Sequence, residues 1–522
     1  MTQTTRVHPT QATLPSENPS KSYWHTQPSE KLLGHRTTSD LPESADVIIV
    51  GSGISGTFAA QTLREKRPEL KVVMLEAREA CWGATGRNGG HCQPLIYLQQ
   101  PHVASFELRN YFHVKSLVEE LSIPCDWRST SGVHAFYAED VWAAAQSTVS
   151  KLKDTYPDLA ANVSLVRKGK DGSPAWLLED ERKELTLDAL RIGNAEGAVI
   201  QWHAASLWPY KLVAFILEKL LAESANDDGG GAFNLQTKTP ATGISRVVGG
   251  TNIKNHPWTV HTPRGNISAS QVLLCTNGYT SHLLEQFSDL IVPVRGQVSA
   301  LKPPQEPSPN HPPLDIGHTY GIIAGPADDY LIQRPPPSAE LIFGGGRPHA
   351  KNEGVGVSDD SAVDEPVSWY LRGELSGLVD LSIRETNPSD SSAKPSTKAD
   401  DEEASNNNET GQVAKHDLTP THDWSGIMGY SRDEYPWVGP VPESLGGGKG
   451  LYLCGGYTGH GMPNAPLSAK AVVELMLSVM VGDDDEVDIP MEYLITEKRV
   501  NEARRRKPVG EEKVGVAGLR NY

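Results

Sequence analysis

Cysteine is scarce in this chain, with five residues in 522, at Cys81, Cys92, Cys125, Cys275 and Cys454. No Cys-x-x-Cys occurs, the number is odd and the spacing irregular. That excludes a disulfide framework and a thiolate zinc site, leaves no metal site to expect, and favours a reducing compartment. Long apolar runs are also missing: nothing supplies the about 18 uninterrupted apolar residues of a membrane span. Met1–Pro9 carries no apolar signal core. The end, Arg520-Asn-Tyr522, is not a Ser-Lys-Leu address. By elimination, a soluble cytoplasmic protein is expected. Basic charge is short, with 48 Lys and Arg against 65 Asp and Glu, a formal net charge of −17. This argues against nucleic acid and anionic membranes as partners. A hydrophobic fraction of 38% suits a globular chain, and the length allows two or three domains.

What the chain does have is a glycine fingerprint in its proper setting. Ala45-Asp-Val-Ile-Ile-Val-Gly-Ser-Gly-Ile-Ser-Gly56 reads as a strand, a glycine turn and the start of a helix. A second apolar strand, Lys71-Val-Val-Met-Leu75, ends in Glu76, 20 residues beyond Gly56. Gly51 permits the tight turn, Gly53 lets backbone approach a pyrophosphate, and Gly56 lets the helix pack on the sheet. Helix amides and dipole favour phosphate. The Glu76 carboxylate would accept hydrogen bonds from ribose hydroxyls.

Periodicity predicts helices over Val103–Leu121, Asp140–Leu152, Pro209–Ala222 and Pro466–Val481, and a charged, solvated helix around Ile495–Arg505. Strands are expected at Ala232–Gln236, after a glycine break at Gly229–Gly231, and at Trp258–Thr262, Val272–Leu274, Val292–Val298, Tyr330–Gln333, Leu341–Phe343 and Gly450–Cys454. The first 44 residues are polar and proline-dotted, with Tyr23 and Trp24 placed to pin them to the body. Residues 386–418 are almost devoid of large apolar side chains, a composition expected to be disordered.

The first βαβ unit alone suits NAD or FAD, and three later features favour FAD. A loop of small residues, Gly83-Ala-Thr-Gly-Arg-Asn-Gly-Gly-His-Cys-Gln-Pro94, directly follows Glu76. An apolar strand runs into Cys275-Thr-Asn-Gly278. Leu451-Tyr-Leu-Cys-Gly-Gly-Tyr-Thr-Gly-His-Gly-Met-Pro463 precedes the last long helix, whose N-terminus can face developing negative charge.

On these motifs the chain resembles the FAD-dependent D-amino-acid oxidase/glycine oxidase superfamily. Trp82-Gly-Ala-Thr-Gly-Arg-Asn-Gly-Gly90, Gly429–Pro440 and Gly455–Gly461 are most similar to the gamma-glutamylputrescine oxidase and sarcosine oxidase branch. The resemblance implies an α/β fold, a Rossmann-like FAD-binding domain with an inserted mixed β-sheet substrate domain. Expected segments are an irregular N-terminal arm (1–44), FAD-binding parts at 45–100, 196–290 and 421–482, and substrate-domain parts at 101–195 and 291–385. A disordered insertion (386–420) and a C-terminal tail (483–522) complete the chain.

By position, the resemblance implies that Gly51, Ser52, Gly53, Ile54, Ser55 and Gly56 cradle the pyrophosphate and that Glu76 holds the ribose. Ala84, Thr85, Arg87, Asn88, Gly89, Gly90 and His91 would approach the phosphates and isoalloxazine. Ala241 would meet adenine, Thr276 and Gly278 would border the cofactor, and Gly459, His460, Gly461 and Met462 would line its pyrimidine edge. The implied reaction is oxidation of the C–N bond of an amine or amino acid to an imine, with dioxygen giving peroxide. His460, Tyr279 and Tyr457 are the catalytic candidates, and Tyr320 and Tyr330 could join an aromatic wall. The position of the covalent flavin cysteine of sarcosine oxidases falls near Gly426 and Ile427, so non-covalent FAD is expected, with His91 and Cys92 keeping another attachment open. Gln93 and Pro463 stand where relatives clamp a substrate carboxylate, which favours an amine lacking one or recognised differently. Arg295 and Arg347 are alternative anion binders. A dehydrogenase with a protein or quinone acceptor, or a flavin-binding protein without turnover, fits the same motifs. A flavin hydroxylase fits less well, for want of a central Asp-Gly motif.

Overall fold

The computed structural model describes residues 10–168, 185–225, 232–246, 257–304, 313–324, 327–383, 417–481 and 487–511. Two sheets carry the site. The first has eight strands, with a parallel core in the order Leu451–Gly455, Gly265–Leu274, Ser44–Val50, Val72–Leu75, Phe233–Gln236. Val47, Ile48 and Ile49 are fully buried because helices cover the sheet, as an apolar run in a central parallel strand demands. The helix Ile54–Lys66 packs against the helix Ala465–Val481. The second sheet has nine mostly antiparallel strands. Its long edge pair joins Ile291–Leu301 to Pro420–Ser431.

Several elements change domain relative to the sequence reading. Strand Gly197–Ser206, expected in the second FAD-binding part (196–290), pairs with Arg128–Phe136 in the second sheet. Pro420–Ser431 also belongs to that sheet, although 421–482 was expected in the FAD-binding domain. Conversely, the helix Pro101–Glu120, expected in the substrate part, buries Val103, Phe106, Tyr111 and Val114 in the same core as Ile54–Lys66. Periodicity sets the type of an element; its sheet is decided by long-range pairing that periodicity does not encode.

The C-terminal helix Glu497–Arg505 is not solvated all round. Val500 and Ala503 are buried, and Arg499 pairs with Asp433 at 2.8 Å while its guanidinium lies over Trp437. Gly229–Gly231 and residues 386–416 of the expected insertion lie outside the described residues, and Pro420 already opens a strand. From residue 10 to residue 43 the chain has no regular element but the short helix Tyr23–His25, and Tyr23 and Trp24 pin it. Trp24 is fully buried, and its Nε1–H donates to the Asn88 carbonyl at 2.6 Å. No helix among the described residues is long and apolar enough to cross a membrane.

Candidate active site

A cavity of ≈ 450 Å³ lies where the carboxyl ends of the parallel strands meet the second sheet. Its first half is built by the turns after Val50, Leu75, Leu274 and Gly455, the crevice where open α/β sheets take ligands. Gly51 sits at φ +108°, and a Cβ there would lie 2.6 Å from the Cys275 carbonyl oxygen. A Cβ on Gly56 would lie 1.9 Å from the Gly51 oxygen, so the helix can approach the strand only with glycine at that place. The helix N-cap is Gly53, with no side-chain cap. Thr85 Oγ1 takes the Ile54 amide at 3.0 Å.

Glu76 is buried and lines the cavity. It accepts from Ser52 N and Oγ at 3.1 and 2.6 Å and from Arg78 N at 2.9 Å. A carboxylate offers about four lone-pair sites, which leaves capacity for a ribose hydroxyl. These features fit a dinucleotide: a helix start whose N-cap glycine supplies no side chain, backbone bared by glycine and a fixed acid. The Tyr279 hydroxyl and His91 Nε2 fit as well, since both are buried on the cavity wall with no hydrogen-bond partner among the described residues.

Most of the predicted cofactor residues meet around this cavity. Gly53, Ile54, Ser55, Ala241 and Thr276 line it, as do Ala84, Thr85, Asn88, Gly89 and His91. The turn Gly459, His460, Gly461 and Met462 closes it. Four others do not line it. Ser52 serves Glu76, Gly56 packs on Gly51, Gly90 faces Leu207 and Trp24, and Gly278 abuts Met428. Arg87 reaches the wall, but its guanidinium is turned into the protein, donating to the Ser425 and Ser20 carbonyls at 2.6 Å each. Burial lowers its pKa to about 10.

The second half holds the polar groups closest to chemistry. His460 Nε2 lies 3.0 Å from Glu107 Oε2. Glu107 is fully buried on the helix Pro101–Glu120 and also accepts from Leu95 N at 2.7 Å and Asn464 Nδ2 at 3.1 Å. His134 Nε2 lies 2.7 Å from Gln93 Nε2, and its Nδ1 lies 2.8 Å from the Tyr97 hydroxyl. Burial, then the neighbouring His460, lowers the His134 pKa to about 4. Burial likewise lowers that of His91 to about 3, so both rings are neutral near pH 7.

Gln93, Pro463 and Arg347 line this half with Tyr320, Tyr330 and Tyr430. The Arg347 guanidinium lies 5.3 Å from the centroid of the Tyr430 ring. Arg295 is not in the wall; it pairs with Asp364 at 2.8 Å. Of the catalytic candidates, Tyr457 has its hydroxyl committed to Ser55 at 2.9 Å and Cys454 Sγ at 3.1 Å. Tyr279 belongs to the dinucleotide half, where burial, then Asp360, pushes its phenol up against the opposing Arg78 and Arg87. His460 keeps a position from which it can handle a proton.

Sequence reasoning missed Glu107, His134, Leu14 and Pro15. For Glu107 a signal was present: a charge falls on the apolar stripe Val103, Phe106, Tyr111, Val114 of its helix. His134, inside a buried strand, and the arm residues gave none.

A family model for FAD dependent oxidoreductases matches residues 46–475. The chain is 25% identical over 304 residues to an L-2-hydroxyglutarate dehydrogenase of Indibacter alkaliphilus, across 54% of this chain and 67% of that protein. Among solved structures, glycine oxidase from Geobacillus kaustophilus superposes with a TM-score of 0.60 at 16% identity, covering 87% of this chain and 99% of the other. Iminodiacetate oxidase from Chelativorans sp. BNC1 gives 0.56 at 15%, covering 86% and 98%. The fold is thus of the glycine oxidase type, and, with its glycine fingerprint and fixed acid, the chain belongs to the family of FAD dependent oxidoreductases.

Proposed function

We propose that the protein binds FAD non-covalently and oxidises the C–N bond of an amine or amino acid to an imine, with dioxygen as acceptor. The observation that carries this reading is His460 on the cavity wall, paired at 3.0 Å with the buried Glu107 behind it. The glycine oxidase and iminodiacetate oxidase likenesses support it, since both proteins are named for amino-acid substrates. FAD, when bound, supplies the acceptor for a hydride equivalent from the substrate carbon.

The chain's own residues have the remaining tasks. An aliphatic amine arrives protonated and must lose that proton before its carbon can give up hydride. With Nε2–H donated to Glu107, the neutral tautomer of the His460 ring has Nδ1 as its acceptor. Nδ1 has no partner among the described residues and takes the ammonium proton. His134, held neutral between Gln93 and Tyr97, adds no positive charge to oppose an arriving cation. The imine is then hydrolysed by water.

Arg347 gives a substrate carboxylate a cationic partner, in a place other than the Gln93 and Pro463 positions. Arg347→Ala is expected to raise KM for amino acids about tenfold or more and to leave KM for amines without a carboxylate unchanged. Equal effects on both substrate classes would remove that role. Non-covalent binding is supported by Cys92, which is buried behind the wall, and by Ile427 on it. Acid precipitation should therefore leave the yellow colour in the supernatant; colour in the pellet would place a bond to the protein, with His91 the first candidate.

The test is product analysis in air with amines, amino acids and 2-hydroxy acids, the last because of the hydroxyglutarate dehydrogenase likeness. Peroxide together with a carbonyl product from an amine supports the reading. Carbonyl product that needs a quinone or protein acceptor would make the enzyme a dehydrogenase. Product from 2-hydroxy acids alone would overturn C–N oxidation.

A further inference from the structure

The N-terminal arm precedes the residues matched by the family, yet Leu14 and Pro15 line the cavity in its dinucleotide half. Hydrogen bonds hold the arm there along its length. Ala12 N donates to Ser281 Oγ at 2.9 Å and Thr13 N to Ser358 Oγ at 3.1 Å. Ser20 N donates to the Asp360 carbonyl at 2.8 Å, and Ser22 Oγ to the Gly86 carbonyl at 2.8 Å. Ser281 adjoins His282 of the wall, and Gly86 belongs to the loop after Glu76.

These ties converge on one carboxylate. Asp360 is fully buried, with Arg78 Nη1 2.9 Å from both its oxygens and Arg87 Nε 3.3 Å away. The same two arginines hold the arm: Arg78 Nη1 donates to Ser16 O at 3.4 Å, and Arg87 Nη2 to Ser20 O and Oγ at 2.6 Å. Both also reach the cavity wall. Asp360 is shared by two guanidiniums, with the buried Glu76 as a second carboxylate beside Arg78, and Arg87 Nη1 is buried with no hydrogen-bond partner among the described residues. A buried guanidinium donor left unpaired is costly until an acceptor meets it. The diphosphate of FAD offers such an acceptor, and the adjoining half of the cavity has the features that suit it.

We propose that arm residues 10–25 form a wall of the cofactor site and that Asp360, clamped between Arg78 and Arg87, latches this wall over bound FAD. The cofactor supplies the acceptor that the cluster lacks, and the cluster fastens the arm. FAD binding and arm closure therefore favour each other reciprocally.

Two measurements test this. In hydrogen exchange, amides of the arm from Ala12 to Trp24 should be protected in the FAD-loaded protein and lose protection when FAD is stripped. Those of the second-sheet strand Leu341–Gly345 should change little. In the second, FAD release followed by its fluorescence on dilution should be about tenfold faster or more from Asp360→Asn than from wild type. Asp315→Asn, which removes an exposed ion pair with Arg128, should release at the wild-type rate. Arm amides that exchange alike with and without FAD would overturn the proposal, and this comparison needs only the wild-type protein. Wild-type release from a folded Asp360→Asn holoprotein would overturn the latch.

Discussion

Gly56→Ala yields a protein that neither retains FAD nor reaches the wild-type melting temperature. The added methyl would lie 1.9 Å from the Gly51 oxygen and 3.3 Å from Ile49 Cγ2. The first contact is with backbone, which cannot rotate aside as a side chain can. Gly51 is itself fixed, since its amide donates to the Leu75 carbonyl at 2.8 Å and its φ is +108°. Relief must come from lifting the helix Ile54–Lys66 off the strand. Overpacking of this kind costs about 1–3 kcal/mol. It also moves the helix amides that the pyrophosphate would meet. Thermal melting and the flavin-to-protein absorbance ratio measure the two losses. Gly243→Ala is the control, because the nearest atom to its Cβ is His261 Cδ2 at an ordinary 3.7 Å, and it should keep both properties.

Glu107→Gln is expected to slow substrate oxidation by about 10²-fold or more, the scale of a positioned acid–base group. The carboxylate accepts from Leu95 N, Asn464 Nδ2 and His460. An amide in its place turns one acceptor into a donor, so one of these groups faces a donor instead. That loss costs about 1–3 kcal/mol of stability. The kinetic loss should exceed what misfolding explains, because FAD content stays at the wild-type level. His460→Ala should lose a similar factor, and the double variant little more, since the two side chains act as one unit. Additive losses would show that Glu107 does not work through His460.

The cofactor half was legible in the sequence because its chemistry restricts residue type at short range. Gly51 and Gly56 are fixed by a turn and a close approach, and Glu76 by its place at the end of the second strand, all within one βαβ unit where spacing is set by local geometry. The Gly83–Gly90 loop and the Gly455–Gly461 turn added the rest. Where groups meet across the chain, the reading failed. Glu107 and His460 are 353 residues apart. Arg87 was expected at the cofactor, yet its Nε and Nη2 donate to Ser425 and Ser20 and it pairs with Asp360, all remote in sequence. Leu14 and Pro15 sit in a segment whose order comes from partners such as Ser281 and Ser358, and an irregular arm has no periodicity to announce that. The sheet membership of Gly197–Ser206 was hidden for the same reason.

The most direct test of C–N oxidation is anaerobic mixing of the FAD-loaded protein with polyamines, N-methyl amines, D- and L-amino acids and cyclic imino acids, following the flavin's visible absorbance. The account predicts that at least one of these bleaches the flavin, with the corresponding carbonyl product formed in equal amount. A flavin that stays oxidised with every one of them would contradict it.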